Sequence, residues 1–203
     1  MADAVQTVHI VDDDESVRGS IKFLVESVNL KGIEYESADI FLHSYHDAGP
    51  GCIMLDLRMP GMSGLEALDL MRQQGILEPI IIMTGHGDVP VAVRAFKHGV
   101  FDFLEKPCND NLLIETIHRA INADLLDRGK REQRQFIRTA LDSLTRREQE
   151  VLNLLVAGKS NKQIAEHFFL SSKTIERHRS SIMRKLDASS FAQLVRIAAV
   201  RTD

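Results

Sequence analysis

Three carboxylates, one hydroxyl and one lysine stand where short apolar runs of this chain end. Asp12 and Asp13 follow HIV, Asp56 ends IMLD, Thr84 ends IIIMT and Lys106 follows FLE. Carboxylates set that close repel one another unless a cation lies among them, and their oxygens suit a hard divalent ion. A lysine and a hydroxyl beside them suit the oxygens of an incoming phosphoryl group. Together these residue types point to a phosphoryl-accepting site. Taken singly, each has a plainer reading: an Asp at a strand end is commonly a helix N-cap, and a Lys is commonly solvated. Five such residues at matching strand ends favour one shared site, because an open α/β sheet builds its site there.

The elements that must position these residues alternate regularly. VHIV precedes an amphipathic stretch with Val17, Ile21, Leu24, Val25 and Val28 at helical spacing, and IEYE precedes a helix near Ser37 to Asp47. The pattern repeats through CIMLD and a helix from Leu65 to Arg72, PIIIMT and a helix from Val89 to His98, then DFLEK and a helix from about Asp110. Five such units predict a doubly wound, five-stranded parallel sheet covered by helices on both faces, and nearly all-apolar strands such as IIIM fit double coverage.

The total net charge of -4 conceals a division. From Leu141 onward 11 basic residues face 7 acidic ones, a net of +4, whereas the residues before it carry 14 against 22, a net of -8. An acidic first half suits a metal ion and basic partners, and a basic second half suits nucleic acid. With 203 residues the chain has room for two modest domains. Two cysteines and no secretory apolar segment fit a reducing cytoplasm. No apolar run approaches the length of a membrane span, so a soluble protein is expected.

Residues 142 to 203 carry helical patterns only. LTRREQEVLNLLVAG opens with Thr145 and Glu148 at capping-box spacing and closes at Gly158. SNKQIAEHFF, the short turn LSS and KTIERHRSSIMRKL predict two helices with a tight connection, with Ser160 and Ser172 as N-caps. SFAQLVRIAAV supplies a fourth helix. Between the halves, residues 125 to 141 include the charged run DRGKREQRQFIR and read as a mostly helical linker, either a solvated spacer or a helix that couples the two domains.

Both halves resemble known families. The segments HIVDDDESVR, DLRMPGMSG, MTGHGDVPVAVRAFKHG and FDFLEKP make residues 1 to 124 similar to the receiver domain of two-component response regulators, a flavodoxin-like fold. Residues 142 to 203 resemble the LuxR-type helix-turn-helix domain. The whole is similar to the NarL/FixJ family, closest to its FixJ branch. The resemblance implies that Asp56 takes a phosphoryl group from a sensor histidine kinase. It implies that Asp12, Asp13, Asp56 and the backbone carbonyl of Arg58 hold Mg²⁺, Asp12 through water, and that Lys106 and Thr84 contact the phosphoryl oxygens. Asp14 falls outside the site, since Asp13 keeps the family's spacing to Arg18 and Asp56. Gly85 leaves room for the phosphate, and Pro107 after Lys106 matches a cis turn.

The same resemblance implies a switch in which Thr84 moves toward the phosphate and Phe103 turns inward, with Phe101 as a competing candidate. The face formed by residues 89 to 124 then becomes a homodimer surface. Cys108 departs from the Phe usual after the Lys-Pro pair, and reads either as a small buried hydrophobe or as a redox group. Lys173 to Leu186 matches the recognition helix. Glu176, Arg177 and Ser180 match base-facing positions, Lys173, Thr174 and Arg179 fit phosphate contacts, and His178 fits packing near the backbone. Promoter DNA and RNA polymerase follow as partners. A rival reading, a phosphatase with a nucleophilic Asp, needs a second Asp two residues after Asp56, where this chain has Arg58. A third reading keeps DNA binding but makes it independent of phosphorylation.

Overall fold

The structure is a computed structural model and describes residues 5–85 and 98–199. The expected helix from Val89 to His98 falls almost wholly outside the described residues. Among those residues the elements run β1 (Thr7–Val11), α1 (Glu15–Ser27), β2 (Lys31–Tyr35), α2 (Ala38–Ser44), β3 (Gly51–Asp56), α3 (Gly64–Gln73), β4 (Ile80–Thr84) and β5 (Asp102–Glu105). They continue as α4 (Asp110–Asp142), α5 (Arg146–Val156), α6 (Asn161–Phe168), α7 (Ser172–Lys185) and α8 (Phe191–Ala199). The chain divides into two compact units, residues 1–128 and 129–203.

In the first unit all strands pair in parallel, in the order β2-β1-β3-β4-β5. Alternate residues of each strand serve opposite faces. Ile53 and Leu55 of β3, with Ile80 and Ile82 of β4, pack against Phe41 of α2 and Leu68 and Met71 of α3. Cys52, Met54, Ile81 and Met83 pack on the other face against Val25 of α1 and Ile117 and Ile121 of α4. Chain order reverses between the neighbours β1 and β3, and at such a switch point the loops beyond the strand ends part to leave a crevice. Asp12 follows β1 and Asp56 closes β3, so sheet topology alone brings the acidic residues together.

Local signals set the helix starts. Asp14 caps α1 by accepting from the amides of Ser16 and Val17, so this surplus acid, which is exposed, has a structural task. Ser63 and Glu66 form a reciprocal capping box on α3, as do Thr145 and Glu148 on α5 and Ser160 and Gln163 on α6. The cap of α7 differs from the sequence expectation by one residue. Ser171 accepts from the Thr174 amide, and Ser172 is the first helical residue. Two adjacent serines offer the same chemistry, and the winner is the one whose backbone is still extended, as Ser171 is (φ -79, ψ 149).

The second unit is a small helical bundle. Ile137, Ala140 and Leu141 from the end of α4 join Val151, Leu152 and Leu155 of α5, Ile164 of α6, Ile175 and Ile182 of α7, and Leu194 and Ile197 of α8 in one core.

Candidate functional site

Lys106 lies between two acids. Its Nζ is 2.5 Å from Asp12 Oδ2 and 3.1 Å from Asp56 Oδ2. β5 delivers the lysine, its amide donating to the Thr84 carbonyl at 2.7 Å, and the Lys106–Pro107 bond is cis. Asp12 and Asp56 are buried, and Asp13 beside them is exposed. Backbone amides hold both buried acids in place: Asp14 N donates to Asp12 Oδ1 at 3.0 Å and Arg58 N to Asp56 Oδ1 at 3.3 Å. The Arg18 guanidinium donates to the Asp12 carbonyl at 2.6 Å, fixing the turn after β1.

Oxygens of Asp12, Asp13 and Asp56 all lie within 4.8 Å of one another. Burial raises the Asp56 carboxyl above its ordinary range, outweighing the opposing pull of Lys106 and of the Arg58 amide. Burial opposes the charge on Lys106 as well, but the hydrogen bond and charge of Asp12, and then Asp56, hold its ammonium on. One lysine against three carboxylates leaves the site negative and all-oxygen, a donor set that fits Mg²⁺ far better than a softer metal.

Thr84 is buried at the end of β4, next to Gly85, where an added Cβ would meet nothing within 4 Å. Phe103 is half-buried against the core that contains Leu55 and Ile82, whereas Phe101 packs on the opposite core with the Arg119 guanidinium 5.7 Å above its ring. The two candidate switch aromatics therefore serve different faces of the sheet. Cys108 is half-buried and lines, with Lys106, Pro107, Met83 and Ser20, a cavity of about 440 Å³; burial raises its thiol.

One neighbour of Asp56 escaped sequence reading. Gly64, the first residue of α3, lies so close to β3 that a Cβ there would sit 2.4 Å from the Asp56 carbonyl oxygen. The signal was present in PGMSG, where the second glycine opens a helix that already had a Ser cap.

In the second unit, Lys173, Glu176, Arg177 and Ser180 line one cleft of about 490 Å³, with Ser181 and Arg184 beside them. Two other sequence candidates lie outside that cleft and make contacts of their own. The Thr174 hydroxyl is 2.8 Å from that of Ser171, within the helix cap, and the Arg179 guanidinium stands 5.4 Å over the Phe191 ring. His178 is half-buried. Glu148 sits at a capping-box position, and its buried carboxylate also accepts from Ser181 Oγ and Lys185 Nζ, each at 2.7 Å. It thereby ties α7 to the start of α5. Burial would raise Glu148, but Lys185, Ser181 and Thr145 draw it down to about 2.

Residues 8–118 match the response regulator receiver domain and residues 142–198 match the luxR family of bacterial regulatory proteins. The transcriptional regulatory protein FixJ of Rhizobium meliloti is 43% identical over 192 residues, covering 95% of this chain and 94% of that protein. The C4-dicarboxylate transport transcriptional regulatory protein DctR of Rhodobacter capsulatus is 41% identical, covering 94% and 98%. The solved structure of the response regulator StyR superposes with a TM-score of 0.89 at 38% identity, over 97% of this chain and 99% of that one.

Proposed function

Because the chain belongs to the NarL/FixJ response regulators, in which a receiver precedes a LuxR-type DNA-binding domain, we propose that Asp56 is the phosphoryl acceptor of this two-component transcriptional regulator. The observation that carries this is Lys106, held by Asp12 and Asp56 together at the crevice where strand order reverses. An Asp56 carboxylate oxygen attacks the phosphorus of a sensor kinase's phosphohistidine. The P–N bond breaks, the imidazole leaves with its electron pair, and an acyl phosphate remains on Asp56.

Asp12, Asp13, Asp56 and the Arg58 carbonyl are the groups to hold Mg²⁺, Asp12 through water. When bound, the ion neutralises charge on the transferring oxygens. Lys106 neutralises them from the protein side, and the Thr84 hydroxyl donates to one of them once the phosphate is in place. Arg58 occupies the position where an acid or base would assist hydrolysis, so the acyl phosphate persists long enough to signal, and the chain's only catalytic part is in its own phosphorylation and slow dephosphorylation. Thr84 and Phe103 then relay occupancy to the homodimer face of residues 89 to 124.

The organisation runs as receiver 1–124, linker 125–141 and DNA-binding domain 142–203. In the last, the N-terminal half of α7 enters the major groove with Glu176, Arg177 and Ser180 toward bases, and with Lys173, Thr174 and Arg179 toward phosphates. The chain works in the cytoplasm with a cognate histidine kinase, promoter DNA and RNA polymerase; no helix among the described residues is long and apolar enough to cross a membrane.

The test is phosphorylation by acetyl phosphate with Mg²⁺, followed by light-scattering mass, on wild type and Asp56→Asn. Labelling and a monomer-to-dimer shift, both lost in the variant, are expected; label that survives in Asp56→Asn refutes the acceptor assignment. For the second domain, Arg177→Ala should cost about 1 to 3 kcal/mol of binding to a duplex selected by the wild type. An unchanged affinity removes Arg177 from base readout.

A further inference from the structure

A groove within the second unit, at the other end of α7 from its DNA-facing residues, has no part in phosphorylation or base reading. Its volume is about 580 Å³, and it is walled by the end of α4, the turn after α7, and α8. The floor is apolar, made by Ile137, Leu186 and Ile197, and Phe136 stands on its wall 61% exposed. Exposed Arg134 and Arg196 lie on its rim, joined by Lys130, against a single acid, Asp187.

We propose that this groove docks an acidic amphipathic helix of a protein that acts on the DNA-bound regulator. The proposal rests on the reading of α7 as the DNA-facing helix. A small-molecule pocket encloses convergent polar groups. Here three cations, with Gln133, Gln193 and Asp187 among them, surround an apolar floor with an aromatic anchor, the anatomy of a protein interface. An amphipathic helix laid into an apolar groove is a recurrent mode of recognition, and charge complementarity selects one with an acidic flank.

A second copy docking through the same groove is disfavoured. Two-fold pairing of this patch with itself would bring one basic rim, Lys130, Arg134 and Arg196, against the same rim of the other copy, like charge against like. Accessibility on DNA follows from the length of α7. Its 14 residues separate the N-terminal end from Leu186 and Asp187 by about 20 Å, so the groove stays open while the N-terminal half reads DNA.

The experiment titrates full-length protein into a fluorescent helical peptide with Leu and Phe along one face and Glu along the other, followed by anisotropy. A peptide with the same apolar face and Lys in place of Glu is the control. Saturable binding of the acidic peptide alone is expected. Phe136→Ala should weaken it by about tenfold, and Arg134→Glu with Arg196→Glu should exchange the preference, all three substitutions leaving the melting temperature near that of wild type. Affinity for a duplex enriched by the wild type from a random pool should be unchanged in the charge-reversed variant. Equal binding of both peptides, or of neither, overturns the proposal, as does a charge reversal that abolishes DNA binding. A wild type that enriches no duplex counts against the DNA-binding reading alone, since peptide selectivity is measured without DNA.

Discussion

Gly64 shows how tightly Asp56 is packed from behind. A Cβ at this position would lie 2.4 Å from the Asp56 carbonyl oxygen and 2.8 Å from the Leu57 Cα, both backbone atoms that cannot swing aside. Gly64→Ala should therefore cost about 2 kcal/mol, as overpacking a closed site does, and should slow phosphorylation by acetyl phosphate because α3 or β3 must shift. Denaturant titration checks the first effect and labelling rate the second; a variant as stable as wild type would mean that the start of α3 yields freely. Asp12, Asp13, Asp56, Thr84 and Lys106 were legible because each brings a distinctive functional group to a strand end. Gly64 was not, because its contribution is the absence of a side chain, visible only once helix and strand are set against each other. Asp14 lay between these cases. Its acceptance of the Val17 and Ser16 amides lowers its carboxyl, a local bond that the sequence allowed but that resemblance to a family did not call for.

The strands β1, β3 and β4 were the easiest elements to read, since their apolar runs are demanded by burial on both faces. Helix ends in the second unit were harder, because the competing caps Ser171 and Ser172 differ only in backbone conformation. α4 carries a different lesson. Its Gly129 is followed by charged residues, and an interior glycine disfavours a helix by about 1 kcal/mol relative to Ala. Flanking contacts outweigh that cost. Arg128 pairs with Asp124, Asp47 and Glu78 at 2.6 to 3.1 Å just before it, and Ile137, Ala140 and Leu141 enter a core just after. Glu148 likewise does more than its capping pattern announced, because the lysine and serine it binds are more than 30 positions away in the sequence. Its folded pKa of about 2 lies below the ordinary 4.5, so its charge stabilises the fold fully above pH 4.5 and that stabilisation fades as pH falls toward 2. Glu148→Gln should destabilise the second unit at neutral pH by about 2 kcal/mol and flatten its acid limb over that window. Circular dichroism melts across pH test this, and an unchanged acid limb would show that the Lys185 pairing contributes nothing net.

The two units are built on unlike charge and meet acid differently. In the receiver, His9 of β1 is buried among Tyr35, Phe41 and Tyr45, with its Nδ1 3.0 Å from the Tyr35 hydroxyl. Burial, reinforced by the nearby His46, lowers it from 6.5 to about 4. The folded receiver thus resists a proton that the unfolded chain accepts. His9 leaves the receiver's stability untouched above pH 6.5 and lowers it between 6.5 and 4, by up to about 1.4 kcal/mol per pH unit. The second unit holds its own titrating anchor, Glu148, until pH falls below 4.5. Acidification should therefore open the molecule in two steps, receiver first, with helical DNA-binding domain surviving to lower pH, and a single unfolding free energy would not describe the chain. Hydrogen exchange resolved by peptide tests the order: β1 and β3 should lose protection at a higher pH than α5 and α7, and His9→Phe should move only the receiver's step to lower pH. Simultaneous loss in both units, or loss first in α5 and α7, would mean that they unfold as one cooperative body or that the acid weakness lies in the second unit.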